Sequence, residues 1–289
     1  MFMEQVSNGL ALGSIYALTA IGFTLVYGII SLINFAHGDV YMMGAFFALT
    51  ALNAGLPLPV AFLVGMLGAA LVGFVVSRFA YKPVFQAPRI NLFLCAIGAA
   101  YFLENFAMLI WGPETQTFPA VVDNTMYRLG IFTVSTLQLI ILATSVVLVL
   151  LLTWIVQWTK FGRAMRCTSQ DMDAAKLMGI NTNRVVYVTF MLGSALGAAA
   201  GVLVGMYYQA VYPMMGFVPG LKAFIAAVIG GIGSIPGAML GGIIMGVSES
   251  LGAAYISSGY RDAIAFIILI VILLVKPSGL LGKTAKEKV

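Results

Sequence analysis

Four ionisable residues stand in stretches otherwise too apolar for them: Asp39, Glu104, Lys222 and Glu249. Inside a bilayer such groups are rare, and they mark solute or ion paths or buried pairs. Asp39 opens an apolar run, where a carboxylate complements the positive end of a helix, and Asn34 and His37 share the turn before it. Glu104 lies seven residues from Trp111, about two helical turns inside an interface, and Glu249 is similarly deep. Asn34, His37, Asp39, Glu104 and Glu249 are therefore the candidates for a translocation path. Four of them also have a structural reading: a helix cap for Asp39, a turn hydrogen bond for His37, and pairing or snorkelling for the two glutamates. Lys222, in the first turns of its segment, is expected to snorkel to the outer interface, with contact to a substrate carboxylate as the alternative.

Other chemistries find little support. Ser14 or Ser194 with His37 would give a nucleophile and a base but no third group to orient them. Two cysteines, Cys95 and Cys167, and one histidine cannot make a zinc set, so no metal site is expected. Gly282-Lys283-Thr284 imitates the end of a P-loop. However, Pro277 stands where its first glycine is needed, and only five residues follow. No catalytic residue, nucleotide site or bound cofactor is expected, so energy for any uphill transport must come from another chain.

The stretch Thr159 to Arg184 reads TKFGRAMRCTSQDMDAAKLMGINTNR. Thr168 with Asp171 three residues on resembles a capping box, and the helix then expected, Ser169 to Met178, would be about 15 Å long. Gly179 stands where a left-handed C-cap belongs, and Ile180 where its hydrophobic contact does. A short capped helix between two long apolar runs anchors nothing. It reads as a docking element for a soluble partner, or as an ordinary amphipathic surface helix.

The elements that must hold these residues follow from composition. Of 289 residues, 61% are hydrophobic and 9% charged, with a mean hydropathy of +1.03, against about 25% charged in soluble domains. The chain divides into about nine apolar segments: 10–33, 40–52, 59–77, 91–111, 137–158, 185–208, 217–231, 238–256 and 263–275. Runs near 20 residues are spanning helices, and their continuity excludes the alternating strands of a barrel. The expected fold is all-α, a polytopic bundle of eight to ten segments in a single domain, 1–289. The second and last segments are expected to be short. Met1 to Gln5 lacks a secretory n-region, so the first span is expected to direct insertion.

Twelve of the fifteen Lys and Arg residues fall in three stretches, 78–89, 160–184 and 276–288. Nine alternating spans put all three on one side, which the positive-inside rule makes cytoplasmic, with the N-terminus outside and the tail 276–289 inside. Topology thus accounts for the +5 net charge without a nucleic-acid partner. Gly193, Gly197, Gly201 and Gly205 recur every four residues, a stripe that allows close helix packing or a sliding seam. Four glycines and a proline within Gly230–Gly237 break the helix there.

Asp173-Ala174-Ala175-Lys176-Leu177-Met178-Gly179 is similar to the EAA motif of ABC importer permeases, with Asp in place of Glu. The runs 8–18, 34–39, 162–166, 177–181, 231–238 and 276–279 resemble LivH-type permease subunits of high-affinity branched-chain amino acid importers, over nearly the whole chain. The resemblance implies that residues 159–184 form a coupling loop whose short helix enters a cleft of an ATPase, with Asp171, Asp173, Ala174, Ala175 and Gly179 as the coupling residues. It further implies import of leucine, isoleucine and valine with a second homologous permease, two cytoplasmic ATPase subunits carrying ATP and magnesium, and a periplasmic binding protein. The setting implied is the bacterial inner membrane. The alternatives are a permease of the same family for urea, amides or other amino acids, and a secondary transporter.

Overall fold

A backbone in lipid must satisfy its own N–H and C=O groups. Each apolar segment does so as a helix in the computed structural model, which describes residues 2–30, 34–85, 87–129 and 132–282. In chain order the helices are α1 (Phe2–Ile30), α2 (His37–Asn53), α3 (Leu58–Val75), α4 (Arg89–Trp111), α5 (Thr136–Trp158), α6 (Lys160–Gln170), α7 (Met172–Leu177), α8 (Thr182–Tyr208), α9 (Phe217–Gly230), α10 (Ile235–Tyr255) and α11 (Arg261–Val275). A π-helical turn and a 3₁₀ turn extend α3 to Val84. Among the described residues seven helical stretches are long and apolar enough to cross a bilayer. The last segment, expected to be short, reaches 18 residues with its leading 3₁₀ turn. The apolar segments that stay below that length are α2, with 17 residues, and α9, with 14.

Burial sorts the bundle into a centre and a rim. Most of α1 and α8 is buried, and little of α4, α5 and α11 is. Leu109, Leu150 and Leu274 are among the large apolar residues on that rim, which suits lipid rather than water as the surrounding solvent. Small residues bring the central helices together. A Cβ on Gly13 of α1 would lie 2.8 Å from the Cα of Ile243 in α10. The stripe on α8 lies at such contacts: Gly193 faces the Gly22 carbonyl, Gly197 the His37 ring, Gly201 the Tyr41 carbonyl and Gly205 the Phe118 ring.

The two short helices begin inside the bundle. A Cβ on Gly22 would lie 2.6 Å from His37 Nε2, so α2 starts beside a residue eight positions back from the end of α1, about 12 Å along the axis. Helix α9 starts against α2, where Gly216 and Gly220 approach Gly38 with no room for a side chain.

The polar stretch 112–136 closes the far end. Strand β1 (Gln116–Thr117) pairs with β4 (Ala210–Val211), and β2 (Met126–Leu129) with β3 (Phe132–Ser135). Ser135 and Gln138 then form a reciprocal capping box that starts α5. At the basic end, Gly231 and Gly233 take φ of +100° and +93° between α9 and α10, a conformation natural to glycine. The amides of Leu280 and Leu281 donate to the carbonyls of Ile229 and Gly230, at 2.8 and 2.9 Å. The tail thus caps the end of α9. Lys283, Lys286 and Lys288, counted above among the basic residues, lie outside the described residues.

Candidate functional site

A cavity of about 640 Å³ opens where the N-terminal ends of α2 and α9 meet α1 and α4. Its walls are largely aromatic. Phe23 comes from α1, Phe35 from the turn before α2, Phe93 and Tyr101 from α4, Tyr212 from the α8–α9 connection, and Phe217 and Phe224 from α9. Phe35 packs edge-on against Phe93, with ring centroids 5.5 Å apart, and tilted against Phe224 at 6.2 Å. Among the described residues, Asp39 and Glu104 supply the only ionisable side chains in this lining. Both side chains are nearly buried, and Asp39 Oδ1 has no hydrogen-bond partner. The open side is bounded by exposed apolar residues, with Tyr101 62% and Phe217 65% exposed.

The other three path candidates lie elsewhere. Asn34 Oδ1 accepts a 2.7 Å hydrogen bond from the Tyr81 hydroxyl, and its own carbonyl accepts from the His37 amide at 3.1 Å. The His37 ring is buried against Phe23, centroids 4.6 Å apart. These two residues fix the turn that launches α2. Glu249 does not line the cavity; its carboxylate receives Lys222 Nζ at 3.0 Å and the Tyr16 hydroxyl at 2.9 Å. Lys222 corrects the expectation of snorkelling. It is 8% exposed and also lies 2.8 Å from Asp262. Gly220, Leu221 and Phe224 of α9 face the cavity, while Lys222 is turned toward α1, α10 and α11.

The loop between α5 and α8 holds two helices rather than one, a second correction. Helix α6 buries Gly162, Met165 and Thr168 at three-residue spacing, and Arg166 donates to the Val156 and Gln157 carbonyls at the end of α5. Thr168 is no cap, because its hydroxyl donates back to the Ala164 carbonyl. Asp171 breaks the helix in an extended conformation, and its carboxylate accepts from the amides of Asp173 and Ala174, both at 2.9 Å. Helix α7 therefore starts at Met172. It ends at Gly179, with φ +81°, in a Schellman turn in which the Ile180 amide donates to the Ala175 carbonyl and the Gly179 amide to that of Lys176.

Ala175 is buried and seats α7 on the body of the protein, which leaves Asp173, Ala174 and Gly179 outward. Leu177 and Met178, which the sequence reading did not single out, project furthest, at 89% and 83% exposed. An apolar pair held out beyond the spans is the mark of a contact surface. Its signal in the sequence is the pair placed directly before the C-cap glycine. A groove of about 200 Å³ links this loop to the rest of the basic end, between Gly28 and Ile29 of α1, Met165, Arg166 and Ser169 of α6, and Gly233 and Ile235.

Residues 5–273 match the family described as the permease component of the branched-chain amino acid transport system. The chain belongs to that family. It is 42% identical to the high-affinity branched-chain amino acid transport system permease protein LivH of Salmonella typhimurium, covering 100% of this chain and 98% of that one. It is 40% identical to BraD, a permease protein of the same description from Pseudomonas aeruginosa, with the same coverage. A more distant relative, 28% identical over 90% of this chain and 75% of the other, is the autoinducer 2 import system permease protein LsrC of Shigella flexneri. The fold is similar to that of an ABC transporter solved in an inward-facing conformation, with TM-score 0.51, 18% identity, and coverage of 95% and 88%. This family member is a transport permease and a multi-pass inner-membrane protein.

Proposed function

We propose that this permease is the transmembrane subunit of an ATP-driven importer that passes leucine, isoleucine and valine from a periplasmic binding protein to the cytoplasm. The observation that carries the reading is α7: a rigid six-residue helix, capped at both ends, that holds Leu177 and Met178 clear of the body. Two cytoplasmic ATPase subunits, which carry ATP and magnesium, supply the grip on it. The coupling loop and the tail 276–289 lie in the cytoplasm and the N-terminus outside, because the basic residues gather at that end. A second homologous permease meets the open side of the cavity, where the exposed Tyr101 and Phe217 of one chain leave the path half enclosed.

The test is co-purification and uptake. The wild-type complex, supplied with its binding protein, takes up radiolabelled leucine in preference to urea and retains its ATPases on purification. Leu177→Ser with Met178→Ser inserts in the membrane at wild-type level but loses the ATPases and at least about tenfold of the uptake, the loss of one or two buried apolar contacts. A double variant that keeps both would remove α7 from the mechanism.

A further inference from the structure

Among the described residues, the cavity is lined by two carboxylates, Asp39 and Glu104, and by no basic side chain. One of the acids is incompletely satisfied: Asp39 is 3% exposed, and its Oδ1 accepts no hydrogen bond. Removing a carboxylate from water without a partner is costly, so the site as it stands is poised for a donor. The basic side chain on the neighbouring helix cannot serve, since Lys222 is engaged by Glu249 and Asp262 on the opposite face of α9. Around the acids the walls are aromatic, with Phe35 in contact with both Phe93 and Phe224. A ligand that suits this space presents a cationic donor to the acids and an apolar body to the rings.

Resting on the reading of the chain as an amino-acid permease, we propose that Asp39, seconded by Glu104, is the docking point for the primary ammonium group of the amino acid in transit. Its aliphatic side chain lies against Phe35, Phe93 and Phe224. An ammonium group brings three N–H donors and a compensating charge. An uncharged amide such as urea brings no charge and leaves Asp39 uncompensated, and a lone carboxylate is repelled. The cavity therefore selects for ammonium-bearing solutes in addition to any selection by the binding protein.

Equilibrium binding of radiolabelled leucine to the purified complex, nucleotide-free and without the binding protein, tests this directly. The competitors are 3-methylbutylamine, which keeps the ammonium and the aliphatic chain, and 4-methylpentanoate, which keeps the carboxylate and the chain. The amine is expected to displace leucine and the acid is not. Asp39→Asn and Glu104→Gln are each expected to weaken leucine binding by about tenfold or more, the scale of one charge-assisted contact. Competition by the acid as strong as by the amine overturns the proposal. So does wild-type affinity in both variants, and so does an absence of leucine binding by the wild-type complex. Leucine uptake by the wild type with its binding protein separates the two readings. If uptake is absent, the transport function itself fails. If uptake is present and the competition is reversed, only the ammonium assignment fails. Should Asp39→Asn not assemble, Glu104→Gln and the wild-type competition still decide.

Discussion

At the scale of single residues, the most consequential interaction in the spans is one the sequence could not announce. Lys222 and Glu249 are 27 positions apart, and Tyr16 and Asp262 join them from α1 and the start of α11, so four helices converge on a single cation. Lys222 alone reads as a stray charge seeking an interface. Only the folded bundle shows that Lys222 is held between two carboxylates, one of them deeply buried. Removing one partner of a buried pair strands the other charge, at a cost of about 3–5 kcal/mol, whereas replacing both with apolar residues is often neutral. Lys222→Met should therefore lower the thermal midpoint of the purified protein strongly, and Lys222→Met with Glu249→Leu should recover most of the loss. Equal destabilisation by the single and double variants would show that the pair is not a closed electrostatic unit.

At the scale of elements, what decides the site is how closely two helix beginnings can approach. A Cβ on Gly216 would overlap the Gly38 carbonyl, and these two residues sit where α2 and α9 wall the cavity. Gly216→Ala is expected to push the helix starts apart and to depress leucine uptake severalfold, while the protein still inserts. Gly98→Ala in α4, where an added Cβ meets nothing within 4 Å, is expected to leave uptake unchanged, since alanine is favoured over glycine in a helix by about 0.5–1 kcal/mol. Uptake assays on the two variants side by side check the contrast, and equal behaviour would count against close approach as the controlling feature. The nine segments themselves were legible because hydropathy reports directly on the solvent around a helix. The boundaries of α7 were not. Thr168 and Asp171 both have the chemistry of a cap, and the choice fell to Asp171 because burial of Thr168 on α6 ties up its hydroxyl. Nor was the cavity legible, since Asp39 and Glu104 become neighbours only through the packing of α2 with α4.

At the scale of the whole molecule, the proposed direction of transport rests on the distribution of charge. Arg78 reaches from the end of α3 to the Tyr187 hydroxyl near the start of α8, at 3.2 Å. The tail caps α9, and the groove beside α6 takes in the α9–α10 turn. The described parts of the three basic stretches are thereby joined into one end of the bundle. The polar stretch 112–136 lies at the other, through its pairing with residues just beyond α8. If positive charge fixes the cytoplasmic side, α7 faces the compartment where ATP is available. The chain carries its own probe of this arrangement. Cys167 is exposed on α6, whereas Cys95 is partly buried within α4 with its thiol directed to the Ala80 carbonyl at 3.0 Å. A membrane-impermeant maleimide reacts with exposed thiols through their thiolate fraction. It should label the protein in inverted vesicles and spare it in right-side-out vesicles, with the label abolished by Cys167→Ser. Labelling from the outer face instead would place α7 beyond the reach of a cytoplasmic ATPase, and the direction of transport argued from the charges would have to be reversed.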